Sequence, residues 1–328
     1  MVQRVPQKKE KQRTVQGRRR TNTLKRRYFK KSRLKPKPIK RSVVKQQLQF
    51  PENQGSYEQG YQEGVVAAGE LLLADHIPND VIIPDLSASE AVAAGVQVLR
   101  KRGIPLLDPA SVYEELNSAL REKRPYAFIR LGDGELLTLA QDKLLTYEEV
   151  KRAGAFLPYS GVNVPDLAAR DELASSIRVA SLVGVPMSRH PHFQPLFFAA
   201  LRAHGIDHQA LKLTTSTMNY SLYELGLLMQ LLKDRKTLVI GNVAEQLKQV
   251  LVEKGVEVAG VITPVRGYSD VGRVVAEAAA YEFDIALVAA GIAAIPIAVH
   301  LAGIRGKVTF DFGHLANRMA GLEHFERV

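Results

Sequence analysis

From residue 108 onward, short apolar runs alternate with amphipathic stretches at a spacing of about 25 residues. The runs fall at 126–131, 179–186, 211–216, 237–240, 256–262, 284–289 and 307–312. They are continuously apolar, not apolar at every second position. Such a strand is buried on both faces, as in a parallel sheet covered by helices. Helices are expected between the runs, at 109–122, after Gly134, and at 195–204, 220–232, 244–253, 271–281 and 295–302. In the first, Asp108-Pro109 is a start signal and Val112, Leu116, Ala119 and Leu120 recur on one face. Gly205 ends the helix at 195–204. The expected fold class is α/β: a Rossmann-like, mostly parallel sheet with helices on both faces, spanning 108–328 without an internal repeat.

Upstream the pattern fades. Residues 55–107 form a helical linker region: GSYEQGYQEGVVAAGELLLA at 55–74 ends apolar, and 87–102 combines an N-cap serine with helical spacing. Residues 1–54 are rich in Lys, Arg and Gln and poor in apolar residues. They cannot bury enough surface to offset the entropy of ordering, so a disordered basic N-terminal tail is expected.

Charge sharpens this division. The net charge of +11 combines a segment at 1–45 with 19 Lys/Arg and one acid, Glu10, with a remainder of 26 Lys/Arg and 33 Asp/Glu. A basic tail therefore joins a mildly acidic body, and polyanion contact through residues 1–45 is expected. No apolar stretch follows the tail's charges, which argues against a secretory signal. Residues 285–304 lack Asp, Glu, Lys and Arg, but they are alanine-rich and hold Gly291, Pro296 and His300. They read as a buried strand, a turn and a buried helix, so the chain is expected not to be transmembrane and to be cytoplasmic. The absence of cysteine excludes disulfides, Cys-ligated zinc, iron–sulfur clusters and a thiol nucleophile.

Ligands of such sheets sit at the carboxyl ends of the strands. The first strand ends in Arg130-Leu131-Gly132-Asp133-Gly134-Glu135. Two carboxylates flanked by glycines can hold a hard cation against phosphate oxygens, or can be solvated acids of a surface turn. Gly241-Asn242 follows another strand and can present backbone N–H groups to an anion or simply turn the chain. Neither a dinucleotide fingerprint nor a P-loop is present. Asp311 and His314 follow the last strand, as acid/base, phosphate or metal contacts or as a structural pair. Thr217 and Asn219 can read a base, a ribose or a sugar, or cap the next helix. Arg189 follows the second strand, where a cation suits a diphosphate and a solvated loop is the alternative.

Arg130-Leu-Gly-Asp-Gly-Glu135 resembles the arginine–aromatic/leucine–Gly-Asp-Gly-Glu motif of the GT-D-fold glycosyltransferases, a bacterial family first catalogued as a domain of unknown function. Ala290-Gly291 leading into residues 296–301, then Phe310-Asp311-Phe312-Gly313-His314, resembles that family's closing Gly-Pro-Thr-Ala…Leu and Asp-Ile-Gly-His. The resemblance covers about 110–318. It implies transfer of a sugar, glucose, from a UDP-sugar donor to an unknown protein or glycan acceptor. It implies that Asp133 and Glu135 hold Mn²⁺ or Mg²⁺ against the donor diphosphate, with Arg130 or Arg189 adding positive charge beside Gly132 and Gly134. Arg266, Tyr268 and Gly291 would shape the nucleotide pocket with Thr217 and Asn219 contributing polar contacts. Asp311 and His314 would line the far side, with His314 as acid/base. The chain departs from the family in Gly291-Ile292-Ala293-Ala294 and in Pro264-Val265-Arg266-Gly267-Tyr268, which replace Gly-Pro-Thr-Ala and Pro-x-x-Asn-Ala. The competing reading is a degenerate, non-catalytic domain that binds nucleic acid or an anionic surface through the basic tail.

Overall fold

The computed structural model describes residues 57–322. The tail expected at 1–54 lies outside them. The chain divides into two compact units between Ala88 and Ser89. In the first, the apolar end expected at 55–74 is part of helix α1 (Tyr57–His76), which leaves Val65, Val66, Leu71 and Leu72 exposed.

The second unit begins with α2 (Ala88–Leu99), which carries no buried residue, and α3 (Pro109–Arg121). Asp108 caps α3 by accepting from the Ser111 N–H at 2.7 Å, and Val112, Leu116, Ala119 and Leu120 are its buried face, as expected. Then come β1 (Tyr126–Arg130), α4 (Asp133–Ala140), α5 (Tyr147–Ala153), α6 (Leu167–Val179), β2 (Leu182–Val185), α7 (Gln194–Ala203) and β3 (Leu213–Thr215). The second half holds α8 (Met218–Glu224), α9 (Leu227–Leu232), β4 (Thr237–Gly241), α10 (Ala244–Glu253), β5 (Val258–Ile262), α11 (Val271–Glu277), β6 (Ile285–Ala289), α12 (Ala294–Arg305), β7 (Val308–Asp311) and α13 (Leu315–Met319).

All seven strands run parallel, in the order β3-β2-β1-β7-β6-β4-β5. Parallel pairing buries both faces. On one side α3, α8, α9, α10 and α13 cover Phe128, Leu287, Phe310 and Phe312, with the Phe128 and Phe310 rings stacked at 4.8 Å. On the other, α4, α6, α7, α11 and α12 cover Ile129, Val183, Leu238, Ala286 and Val288. The apolar stretch at 285–304 is strand β6 followed by α12, and no helix among the described residues is long and apolar enough to cross a membrane.

The differences from the sequence reading have local causes. The helix expected at 220–232 is two, because Gly226 takes a left-handed conformation (φ 72°) that closes α8 and opens α9. The apolar run at 179–186 starts as a strand only at Leu182, because α6 continues through Val179. Helix α5 is set by a capping box between Thr146 and Glu149, too short to show a period.

Candidate active site

The carboxyl ends of β1 and β7 lie side by side at the middle of the sheet, and between them a cleft of about 620 Å³ opens. Topology places it where the strand order reverses, the usual ligand position of an open parallel sheet.

Arg130, the last residue of β1, is fixed in four directions. Its backbone N–H donates to Asp311 Oδ2 at 3.1 Å and its Nη2 to Asp311 Oδ1 at 3.1 Å. Its Nε donates to the Asp311 backbone carbonyl at 2.8 Å, and its Nη1 to the Ser216 carbonyl at 2.9 Å. One guanidinium thus ties together the ends of β1, β7 and the β3–α8 turn. Gly313 makes room for it: a Cβ there would collide with the guanidinium, and its φ of 53° disfavours any side chain. Burial pushes the Asp311 carboxyl up, and Arg130 pulls it back down.

Beyond β1 the chain turns at once into α4. Gly132 is its N-cap and accepts α4's first main-chain bond from Leu136. Asp133 and Glu135 are therefore in the first turn of a helix, not in a loop preceding one. Glu135 reaches back to accept from the Gly132 N–H at 2.8 Å, which leaves Oε1 for other partners. Asp133 Oδ1 accepts from the Gly134 N–H at 3.0 Å. Burial, with the nearby Asp311 charge, pushes the Glu135 carboxyl up to about 7, against the backbone N–H groups and Arg130, which act the other way. A carboxylate held so high is ready to take a cation or a proton.

Residues two apart in a helix point about 200° apart around its axis. Both acids nevertheless line the cleft, because α4 aims its N-terminal end, the positive end of its dipole, into it. Among the described residues no cluster of three or more His, Asp or Glu could hold a metal. The donor set fits a small hard cation that takes one or two carboxylates and fills its remaining positions with phosphate oxygens and water. A cage made of protein ligands alone does not fit.

The remaining expected residues divide. Thr217, Arg266, Gly291 and His314 line the cleft, with Arg266 and His314 exposed. Arg189, Asn219 and Tyr268 do not line it. Arg189 is exposed in the loop after β2 and donates to Gln194 Oε1 at 2.8 Å. Asn219 is buried and donates from Nδ2 to the Phe312 carbonyl at 2.9 Å, bracing the turn after β7. Tyr268 is half-buried, and its N–H donates to the Gly161 carbonyl at 3.0 Å. The sequence reading missed Phe156, Tyr159 and Asn317 as lining residues, whereas Asn242, singled out with Gly241 as a turn that can face an anion, does line the cleft. Phe156 and Tyr159 belong to an irregular strap at 154–163 that also buries Leu157 and Val162 in the core, so nothing in its composition separates the two cleft aromatics from packing residues.

Among solved structures, the chain is similar to one described as a new glycosyltransferase (DUF1792) from Streptococcus sanguinis, at 16% identity and a TM-score of 0.47, over 69% of this chain and 88% of that one. It is similar to a second, described as the highly conserved domain of unknown function 1792 with a distinct glycosyltransferase fold, at 12% identity and a TM-score of 0.47, over 68% and 83% of the two chains. No curated protein matches the sequence. The sequence profile of the GT-D fold-like domain matches residues 107–319, the whole span from the start of α3 to the end of α13 that builds the sheet and its cleft, and the chain belongs to that family.

Proposed function

We propose that the chain is a metal-dependent glycosyltransferase that moves a sugar, glucose, from a UDP-sugar to a hydroxyl acceptor. The observation that carries this reading is the pair Asp133 and Glu135 on the helix end that faces the cleft, with Glu135 pushed up to about 7. Family membership supports it.

Asp133 and Glu135 Oε1 would hold Mn²⁺ or Mg²⁺, which supplies charge neutralisation for the departing diphosphate when bound. The Arg130–Asp311 pair keeps the strand ends on which α4 is mounted in register. Arg266 adds an exposed cation to the cleft wall. In the transfer the acceptor oxygen bonds to the anomeric carbon of the sugar. The bond from that carbon to the terminal phosphate oxygen breaks, and its electron pair leaves with UDP. The acceptor's proton goes to a ring nitrogen of His314, which stands at the cleft.

The test is calorimetric titration of UDP into the wild type, Asp133→Asn and Glu135→Gln, with and without Mn²⁺. The expected result is coupling: UDP binds more tightly with Mn²⁺, and both substitutions abolish the gain. Metal-independent UDP binding that survives both substitutions overturns the mechanism.

A further inference from the structure

The motif Gly241-Asn242 takes no part in the transfer step, yet the fold commits it to the cleft. Gly241 ends β4 at a φ of 144°, and a Cβ there would collide with the Ala289 carbonyl at the end of β6. That close approach sets Asn242 in the cleft wall, next to Val243, Val265 and Ala290. Its amide is oriented. Oδ1 accepts from the Val265 N–H at 2.8 Å, and Val265 is buried and so a fixed anchor. The acceptor end is committed, and the donor end, Nδ2, is what the side chain offers a ligand. No group among the described residues accepts from it.

A second feature faces the same cleft. Tyr159 is 91% exposed. It sits on a strap held in place through main-chain bonds, Ile292 N–H to the Ser160 carbonyl at 3.2 Å and Tyr268 N–H to the Gly161 carbonyl at 3.0 Å. An exposed ring on an anchored backbone is a platform for a flat ligand.

We infer that Asn242 and Tyr159 select the nucleobase of the donor: Asn242 Nδ2 donates to the carbonyl at position 4 of uracil, and the Tyr159 ring stacks on the base. This rests on the nucleotide-sugar reading above. Cytosine carries an amine donor at position 4, so it would set donor against donor. A site built to hydrogen-bond one group rejects the analogue that lacks it.

The experiment titrates UDP and CDP, each with Mn²⁺, into the wild type, Asn242→Asp and Tyr159→Ala. Asn242→Asp keeps the shape and the bond to Val265 while exchanging the donor for an acceptor. Both ligands carry the same diphosphate, so the added charge weakens both alike and the UDP/CDP ratio isolates the base edge. The wild type should prefer UDP by about tenfold, the worth of one well-placed hydrogen bond. Asn242→Asp should lose or reverse that preference. Tyr159→Ala should weaken both ligands by about tenfold and leave the ratio unchanged. A ratio equal in wild type and Asn242→Asp overturns the role of Asn242, and unchanged affinities in Tyr159→Ala overturn the stack. A wild type that binds neither nucleotide overturns the glycosyltransferase reading and this one with it, an outcome distinct from binding without discrimination.

Discussion

Replacing Asp311 with Asn tests whether the cleft depends on a charge pair or only on a shape. Arg130 and Asp311 side chains are 14% and 7% exposed. Both carboxylate oxygens accept from Arg130, one from its backbone N–H and one from Nη2. An asparagine must turn its NH₂ toward one of these donors, so one hydrogen bond is lost whichever way the amide lies. The guanidinium also loses its counterion. Removing one partner of a buried pair costs roughly 3–5 kcal/mol. The low end applies, because Nε and Nη1 keep the Asp311 and Ser216 carbonyls. About 3 kcal/mol lowers Tm by about 6–12 °C in a domain of this size. A second readout separates charge from packing. The Asp311 charge is one of the forces that raise Glu135, so the variant should bring the Glu135 carboxyl down from about 7. Thermal unfolding gives the first quantity and carbon-detected NMR titration of the Glu135 carboxyl the second. A Tm within about 2 °C of the wild type, with Glu135 unmoved, would refute the reasoning.

Two further substitutions follow from the same geometry. Glu135 is raised from 4.5 to about 7 on folding, so the folded state binds the extra proton and wild-type stability should fall as pH rises through that window, by at most about 3 kcal/mol. Glu135→Gln should lose its share of the decline in urea unfolding at pH 5 to 8 with a chelator present; an unchanged decline assigns it elsewhere. His314 is exposed at the cleft, so His314→Ala should lower sugar transfer by about 10²–10⁴ while Tm holds. Parallel loss of stability and activity would make it a structural residue.

The sheet was legible because parallel strands buried on both faces read as continuous apolar runs, and α3 because its cap and its buried face are both local. The carboxyl ends of the strands were also legible, which is why Asp133, Glu135, Asp311 and His314 meet where they were sought. What failed was non-local. Arg130 lines the cleft, but that its guanidinium is tied to Asp311 became visible only once β7 was placed beside β1. Arg189 follows β2 by four residues, in an exposed loop that does not line the cleft, whereas Arg130 is the last residue of β1. Asn219 has the polarity of a ligand contact and is buried under the turn after β7. One miss was avoidable. Gly132-Asp-Gly-Glu135 carries an acid at the third helical position, the spacing of a capping box, which already places both acids inside α4.

The position of β7 in the sheet has a consequence for biosynthesis. Strands β1, β2 and β3 pair among themselves, as do β4, β5 and β6, and β7 joins the two blocks. Among these seven strands it is the last to be synthesised. Until then each block carries an unsatisfied edge, β1 on one and β6 on the other, each buried in the finished fold except at its last residue. Such edges invite pairing with other chains. At about 5–20 residues per second of synthesis the β6 edge stays open for about 1–4 s and the β1 edge for about 10–40 s. The strand that closes them also delivers Asp311, Gly313 and His314, so a nascent chain gains its cleft and loses its sticky edges in the same step.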